Sequence, residues 1–179
     1  MLSVVIDLSN LEFVEELLRA YKFTKQKETY VLKKKNNIFI NATINHSSCK
    51  LKTEFSPHLT LEQYEEIHDI HVHLIKELNT TKYDDRNSLL GYLQNGEKAY
   101  IITNWEKWYS FLQEAKYKSL EGKKVMIQDE SKQELASGLF LSYDSDPNTA
   151  KITRCTVITL FGERTFKGDG LTIEPTNEW

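Results

Sequence analysis

The clearest alternation of apolar and polar positions runs from residue 37 to residue 55. Ile38, Ile40, Ala42 and Ile44 share one phase and Phe39, Asn41 and Thr43 the other, the period of a strand covered on one side. Beyond the polar turn Asn45-His46-Ser47-Ser48, the inward phase continues through Cys49, Leu51, Thr53 and Phe55, while Lys50, Lys52 and Glu54 face water. With Glu28 to Lys33 ahead of the turn Lys34-Lys35-Asn36-Asn37, the pattern predicts three antiparallel strands.

Helical spacing flanks them. Leu11, Val14, Leu17, Leu18 and Tyr21 predict a helix over residues 10 to 22, opened by a capping box in which the Ser9 hydroxyl and the Glu12 side chain satisfy each other's backbone N–H groups. Leu61, Tyr64, Ile67, Leu74, Ile75 and Leu78 predict a second over 60 to 78, with Thr60 as N-cap and Gln63 as its box partner. Residues 9 to 79 therefore read as an α-β-β-β-α unit with both helices on the sheet's apolar face. The polar stretch 80 to 88 follows. Asn95-Gly96, between Leu90-Gly91-Tyr92-Leu93 and Ala99-Tyr100-Ile101-Ile102, favours a tight hairpin, although a short helix could use the same glycine as its cap. Thr103 with Glu106 can cap a helix whose apolar stripe is Trp105, Trp108, Tyr109, Leu112 and Ala115.

From Lys124 onward, runs such as Val125-Met126-Ile127, Leu139-Phe140-Leu141 and Ile152 to Leu160 are bounded by Gly, Asp, Pro or Asn. Five short strands in about fifty residues predict a small closed barrel, bent where Gly138 lets a strand turn a corner. The fold class is thus α+β in three parts: an α-β-β-β-α domain over 1–86, a connecting hairpin over 87–103, and a helix plus five-stranded barrel over 104–179.

Within the last part, Gly138-Leu139-Phe140-Leu141-Ser142-Tyr143-Asp144-Ser145-Asp146-Pro147-Asn148 resembles the first motif of Sm and Sm-like proteins, and Phe166-Lys167-Gly168-Asp169-Gly170-Leu171-Thr172-Ile173 resembles the second. The helix from Trp105 to Tyr117 sits where that family carries its N-terminal helix. The resemblance implies a small barrel that can assemble with copies of itself through its edges. It also implies single-stranded RNA as a ligand, with Asn148 and Lys167 at a base, Asp144 bracing the loop and Gly168 beside it. Ser145-Asp146-Pro147 departs from the family pattern, because it offers no π face for stacking and adds a negative charge. The segment from Asn148 to Lys167 is also short for that family.

Composition narrows the function. At 179 residues, 40% of them hydrophobic, the chain can bury a core, and its formal charge of -3 argues against binding nucleic acid through an overall field. Met1 to Asp7 lacks a basic leader and no later run is long enough to cross a bilayer, so a cytoplasmic protein without membrane contact is expected. Cys49 and Cys155 fall on inward phases, as buried thiols do.

The histidines His58, His68, His71 and His73 lie near Glu65, Glu66 and Asp69, and His68-Asp69 resembles the dyad of the all-helical HD phosphohydrolases. On a helix, however, His71 falls within the apolar stripe, His68 at its border and His73 on the opposite face, so the three cannot share an ion. Among the seven glycines no phosphate-cradling pattern occurs. No catalytic residue, cofactor or metal is expected, and the chain is not expected to be an enzyme.

Lys22, Lys25, Lys27, Lys33, Lys34 and Lys35 form a basic cluster that could hold a phosphate backbone or an acidic protein, or simply keep a hairpin edge from pairing. The order of elements in residues 9 to 79 is similar to that of double-stranded RNA-binding domains, but Leu61-Glu62-Gln63-Tyr64-Glu65-Glu66 would repel phosphates where that family grips them. The expectation is a small cytoplasmic adaptor, regulator or inhibitor acting through protein–protein contacts. Its Lys, Asn and Ile content suits a bacterial or phage accessory protein. The alternative is an RNA-binding Sm-like protein.

Overall fold

Strand β1 (Leu2–Asp7) lies inside the larger sheet of the computed structural model, which describes residues 1–34, 37–146 and 151–176. It is followed by α1 (Leu11–Ala20), β2 (Thr24–Gln26), β3 (Thr29–Lys34), β4 (Asn37–Asn45), β5 (Lys50–Phe55), α2 (Leu61–Glu77), β6 (Tyr83–Asp84), β7 (Leu89–Tyr92), β8 (Lys98–Tyr100), α3 (Trp105–Lys118), β9 (Lys124–Gln128), β10 (Glu134–Ser145), β11 (Ile152–Thr159) and β12 (Gly162–Pro175). The protein is α+β, and its strand pairs are antiparallel. It forms two units, Met1–Trp108 and Tyr109–Trp179, divided within α3.

In the first unit the sheet order is β2-β3-β4-β5-β1-β6, six strands where the sequence pattern predicts three. Val4 and Ile6 of β1 are fully buried and lie opposite Thr53 and Leu51 of β5. The alternation Leu2-Ser3-Val4-Val5-Ile6-Asp7 is blurred by Val5, and β2 and β6 span three and two residues, too few for a period of two to be read.

A bulge shifts the phase of β4. Leu32 pairs with Ile40 but Lys33 with Ile38, so Phe39 is the extra residue. Phe39 is buried and Ile38 is 54% exposed, a correction to the inward placement of Ile38 that follows directly from the inserted residue. Cys49 is likewise corrected: it sits exposed in the β4–β5 turn with φ 50°, whereas Cys155 is buried and burial pushes its thiol up to about 11.

Helix α2 begins as its sequence predicts. The Thr60 hydroxyl accepts from the Gln63 N–H at 3.3 Å, and the Gln63 side chain accepts from the Thr60 N–H at 2.9 Å. Helix α1 is capped one residue later than expected, by Asn10, whose side-chain oxygen accepts from the Phe13 N–H at 3.4 Å. Asn104, with φ 61°, precedes α3 and its carbonyl accepts from the Trp108 N–H, so Thr103 is not the cap. β7 and β8 pair as a hairpin, and Gly96 takes φ 83° in its turn.

The second unit corrects the five-stranded Sm-like barrel. Among the described residues it has four strands, paired from β10 through β11 and β12 to β9, with β9 also bonded to β10. Gly168-Asp169-Gly170 does not separate two strands, because β12 continues through it. Residues of β12 up to Leu171 pair with β11, and Thr172 to Pro175 pair with β9.

β10 changes partners in the same way, at Leu139, which lies opposite both Lys124 and Ile158. Each switch has a glycine beside it. A Cβ on Gly138 would collide with the Ile158 carbonyl, and Gly170 adopts φ 75°. Val125, Ile127, Phe140, Cys155, Val157 and Ile173 fill the interior. Among the described residues, no helix is long and apolar enough to cross a membrane.

Candidate functional site

The histidines are held inside the first unit. His71 is fully buried, with Nδ1 2.7 Å from the Ile67 carbonyl and Nε2 2.6 Å from the Thr53 hydroxyl. A carbonyl can only accept, so Nδ1 carries the proton and Nε2 accepts from Thr53. Burial pulls the His71 pKa down to about 4, against the smaller raising effects of the Ile67 carbonyl and Asp85.

His68 stacks on Trp105 at 4.8 Å between ring centres and donates Nδ1–H to the Ile101 carbonyl at 2.7 Å. Asp85, buried, accepts from the Ile102 N–H at 3.1 Å, the Thr103 N–H at 2.7 Å and the Thr103 hydroxyl at 3.1 Å. Ser88 donates its hydroxyl to the Asp85 carbonyl at 2.6 Å and accepts from the Ile101 N–H at 3.1 Å.

The backbone from Ile101 to Thr103 leaves the β7–β8 hairpin and enters α3 without a regular partner strand. Its N–H and C=O groups need acceptors and donors, which His68, Asp85 and Ser88 supply. These side chains are consumed by that task. His73 and Asp69 point to solvent, so the His68-Asp69 pair does not assemble as a dyad. Among the described residues, no three His, Cys, Asp or Glu side chains gather to hold a metal.

The basic cluster is partly neutralised. Lys25 pairs with Glu15 at 3.4 Å, and Lys34 pairs with Glu66 while lying 5.2 Å from the centre of the Phe39 ring. Lys33 is exposed beside Lys34 on β3. Lys35 lies outside the described residues.

The outward face of β10, β11 and β12 is more informative, because cross-strand register arranges it in three rows. At one end Leu139, Ile158 and Glu163 stand side by side; in the middle are Ser142, Thr156 and Thr165; at the other end are Asp144, Arg154 and Lys167. Leu139 and Ile158 are 40% and 43% exposed. The Thr156 and Thr165 hydroxyls bond each other at 3.0 Å, and Arg154 donates Nε–H to Asp144 at 2.6 Å and pairs with it through a second nitrogen. Asp144 and Lys167, singled out by the sequence motifs, thus share a row with Arg154 between them. Gly168 follows in β12 and is exposed, and Asn148 lies outside the described residues.

Beyond the apolar row, β11 turns into β12 through Leu160 and Phe161. Thr159 and Gly162 are paired across this two-residue loop, Gly162 supplies φ 94°, and the Thr159 hydroxyl accepts from the Phe161 N–H at 3.1 Å and donates to the Gly162 carbonyl at 3.0 Å. Those bonds involve the Thr159 side chain and the backbone, and neither Leu160 nor Phe161 takes a positive φ, so the turn is open to most residue types and asks nothing apolar of its two central residues. Leu160 is nonetheless wholly exposed, and Phe161 84% exposed with the Arg164 guanidinium 5.6 Å from its ring centre. Beside them opens a groove of about 730 Å³ lined by Leu139, Ile158, Leu160 and Pro175, with Lys123 and Lys124 also in its wall.

Sequence reasoning missed this tip, because Leu160 reads as the end of a strand. The available signal was an apolar pair directly before Gly162, where turn residues belong.

A scan against protein-family models finds none that matches the chain. Searches of curated proteins and of solved structures likewise find no match. The Sm-like motifs therefore have neither the strand count nor a family match behind them.

Proposed function

We propose that this chain is a non-enzymatic binding protein, an adaptor, regulator or inhibitor, that engages a protein partner through the outer face of β10–β12 and the Leu160-Phe161 tip. The observation that carries this reading is a hydrogen-bonded turn displaying two large apolar side chains that the turn does not use. Exposed apolar surface next to a groove is the usual mark of an interaction site. Covering a leucine and a phenylalanine is worth about 1.5–3 kcal/mol each, before the costs of association. The tip therefore serves as an anchor, and the groove and the rows beyond it supply the remaining area.

Single-stranded RNA is the second reading. Phe161 with Arg164 offers a ring and a cation, but the chain is acidic overall.

Affinity capture with the full chain, in parallel with a Leu160→Ser/Phe161→Ser variant, tests the first reading. Specific proteins retained by the native chain and lost by the variant are expected. An identical retained set for both would overturn it.

A further inference from the structure

We infer that the partner presents an acidic, apolar segment: an aliphatic anchor for the groove, followed by carboxylates that reach Arg154 and Lys167. This rests on the protein-binding reading above and specifies its chemistry. Two observations point the same way.

Among the described residues, Lys123 and Lys124 are the charged side chains that line the groove's aliphatic wall. Glu163 borders Ile158 on the neighbouring strand, outside that lining. At the opposite end of the face, Asp144 is already engaged by Arg154, and exposed Lys167 lies on Arg154's other side, so the row carries an excess positive charge. Each end therefore sets two basic side chains, Lys123 and Lys124 or Arg154 and Lys167, against one acidic one, Glu163 or Asp144, and the apolar surface lies at the first.

Ile158 lies four positions along β11 from Arg154, about 13 Å at the rise of an extended strand. The Ser142, Thr156 and Thr165 row between them is neutral and hydroxyl-bearing. A segment with leucine-like side chains, a short polar spacer and glutamates or aspartates would match all three rows. Carboxylates opposite these basic groups would raise the association rate and set the register of binding more than they would add affinity.

The test uses the full chain and a labelled peptide in which four leucines and four glutamates are separated by a four-residue Gly-Ser spacer. Fluorescence anisotropy compares it with the same peptide bearing lysines in place of glutamates, and with a uridine decamer. The glutamate peptide is expected to bind at least about ten-fold more tightly than the lysine peptide. That preference should shrink or reverse in Lys123→Glu/Lys124→Glu and in Arg154→Glu/Lys167→Glu, two variants at opposite ends of the face. The first leaves the Asp144 ion pair intact, so a folding defect in the second does not remove the test.

Equal binding of both peptides, weakened in each case by Leu160→Ser/Phe161→Ser, would overturn the charge inference and leave the protein-binding reading standing. Peptide binding insensitive to that variant would overturn both. No binding of the glutamate peptide, or tighter binding of the uridine decamer, would also overturn the inference.

Discussion

Among the described residues, the polar side chains that are buried lie in Met1–Trp108. The two most exposed large apolar side chains, Leu160 and Phe161, lie in Tyr109–Trp179. Asp85, Ser88, His68, His71 and Thr53 each have hydrogen-bond partners within the first unit, so their burial is explained by the backbone and side-chain groups they satisfy. Leu160 and Phe161 have no such explanation in the second unit, because the turn that holds them is bonded through Thr159 and the backbone. A buried polar group whose partners are found describes a structural lock. An exposed apolar pair that the fold does not need describes a surface for something else. The histidine-rich helix, the most conspicuous chemistry in the sequence, thus falls on the structural side.

The sharpest way to break this contrast is at Asp85. Asp85→Ala leaves the Ile102 and Thr103 N–H groups without their acceptor, and is expected to cost about 3 kcal/mol or more in urea unfolding. A loss below about 1 kcal/mol would show that Asp85 is not the lock described.

The next effect is of similar size and depends on pH. His71 is held at about 4 in the fold, against 6.5 for a free side chain, so between those values the unfolded chain takes up the proton first. Its contribution is fully present above about pH 6.5 and is lost as pH falls toward 4, amounting to on the order of 3 kcal/mol. Unfolding measured across that window should show this decline, and His71→Gln should flatten it.

In the second unit, Gly138→Ala is expected to cost about 2 kcal/mol, because a Cβ there meets the Ile158 carbonyl where β10 changes partners. Differential scanning calorimetry would register it as a lower melting temperature. A smaller loss, about 1 kcal/mol, is expected for Thr60→Ala, which removes one half of the α2 capping box.

Much of the first unit is legible in the sequence, because its signals are local. The Thr60–Gln63 box, the phase of Leu51, Thr53 and Phe55, and the inward position of His71 follow from spacing alone, whereas His68, at the stripe's border by spacing, is buried. The strand β1 is not legible, since its place between β5 and β6 is set by pairing with residues some fifty and eighty positions away. The bulge at Phe39 is also invisible, because an inserted residue leaves both phases apolar. In the second unit, glycines that mark strand ends in a linear reading instead let the long strands β10 and β12 bend and change partners, so four strands are read as five short ones. The candidate site was half visible. The motifs point to Asp144 and Lys167, but the place of Arg154 between them comes from the register, and the tip's sequence signal, an apolar pair before Gly162, is easily read as a strand end.

Urea unfolding of Leu160→Ser/Phe161→Ser against the native chain tests most directly whether this tip is surplus to the fold. An unfolding free energy within about 0.5 kcal/mol of the native value is expected, as for exposed positions without structural duties. A loss above about 2 kcal/mol would mean that the pair is packed inside the folded protein, and would contradict its assignment to a partner.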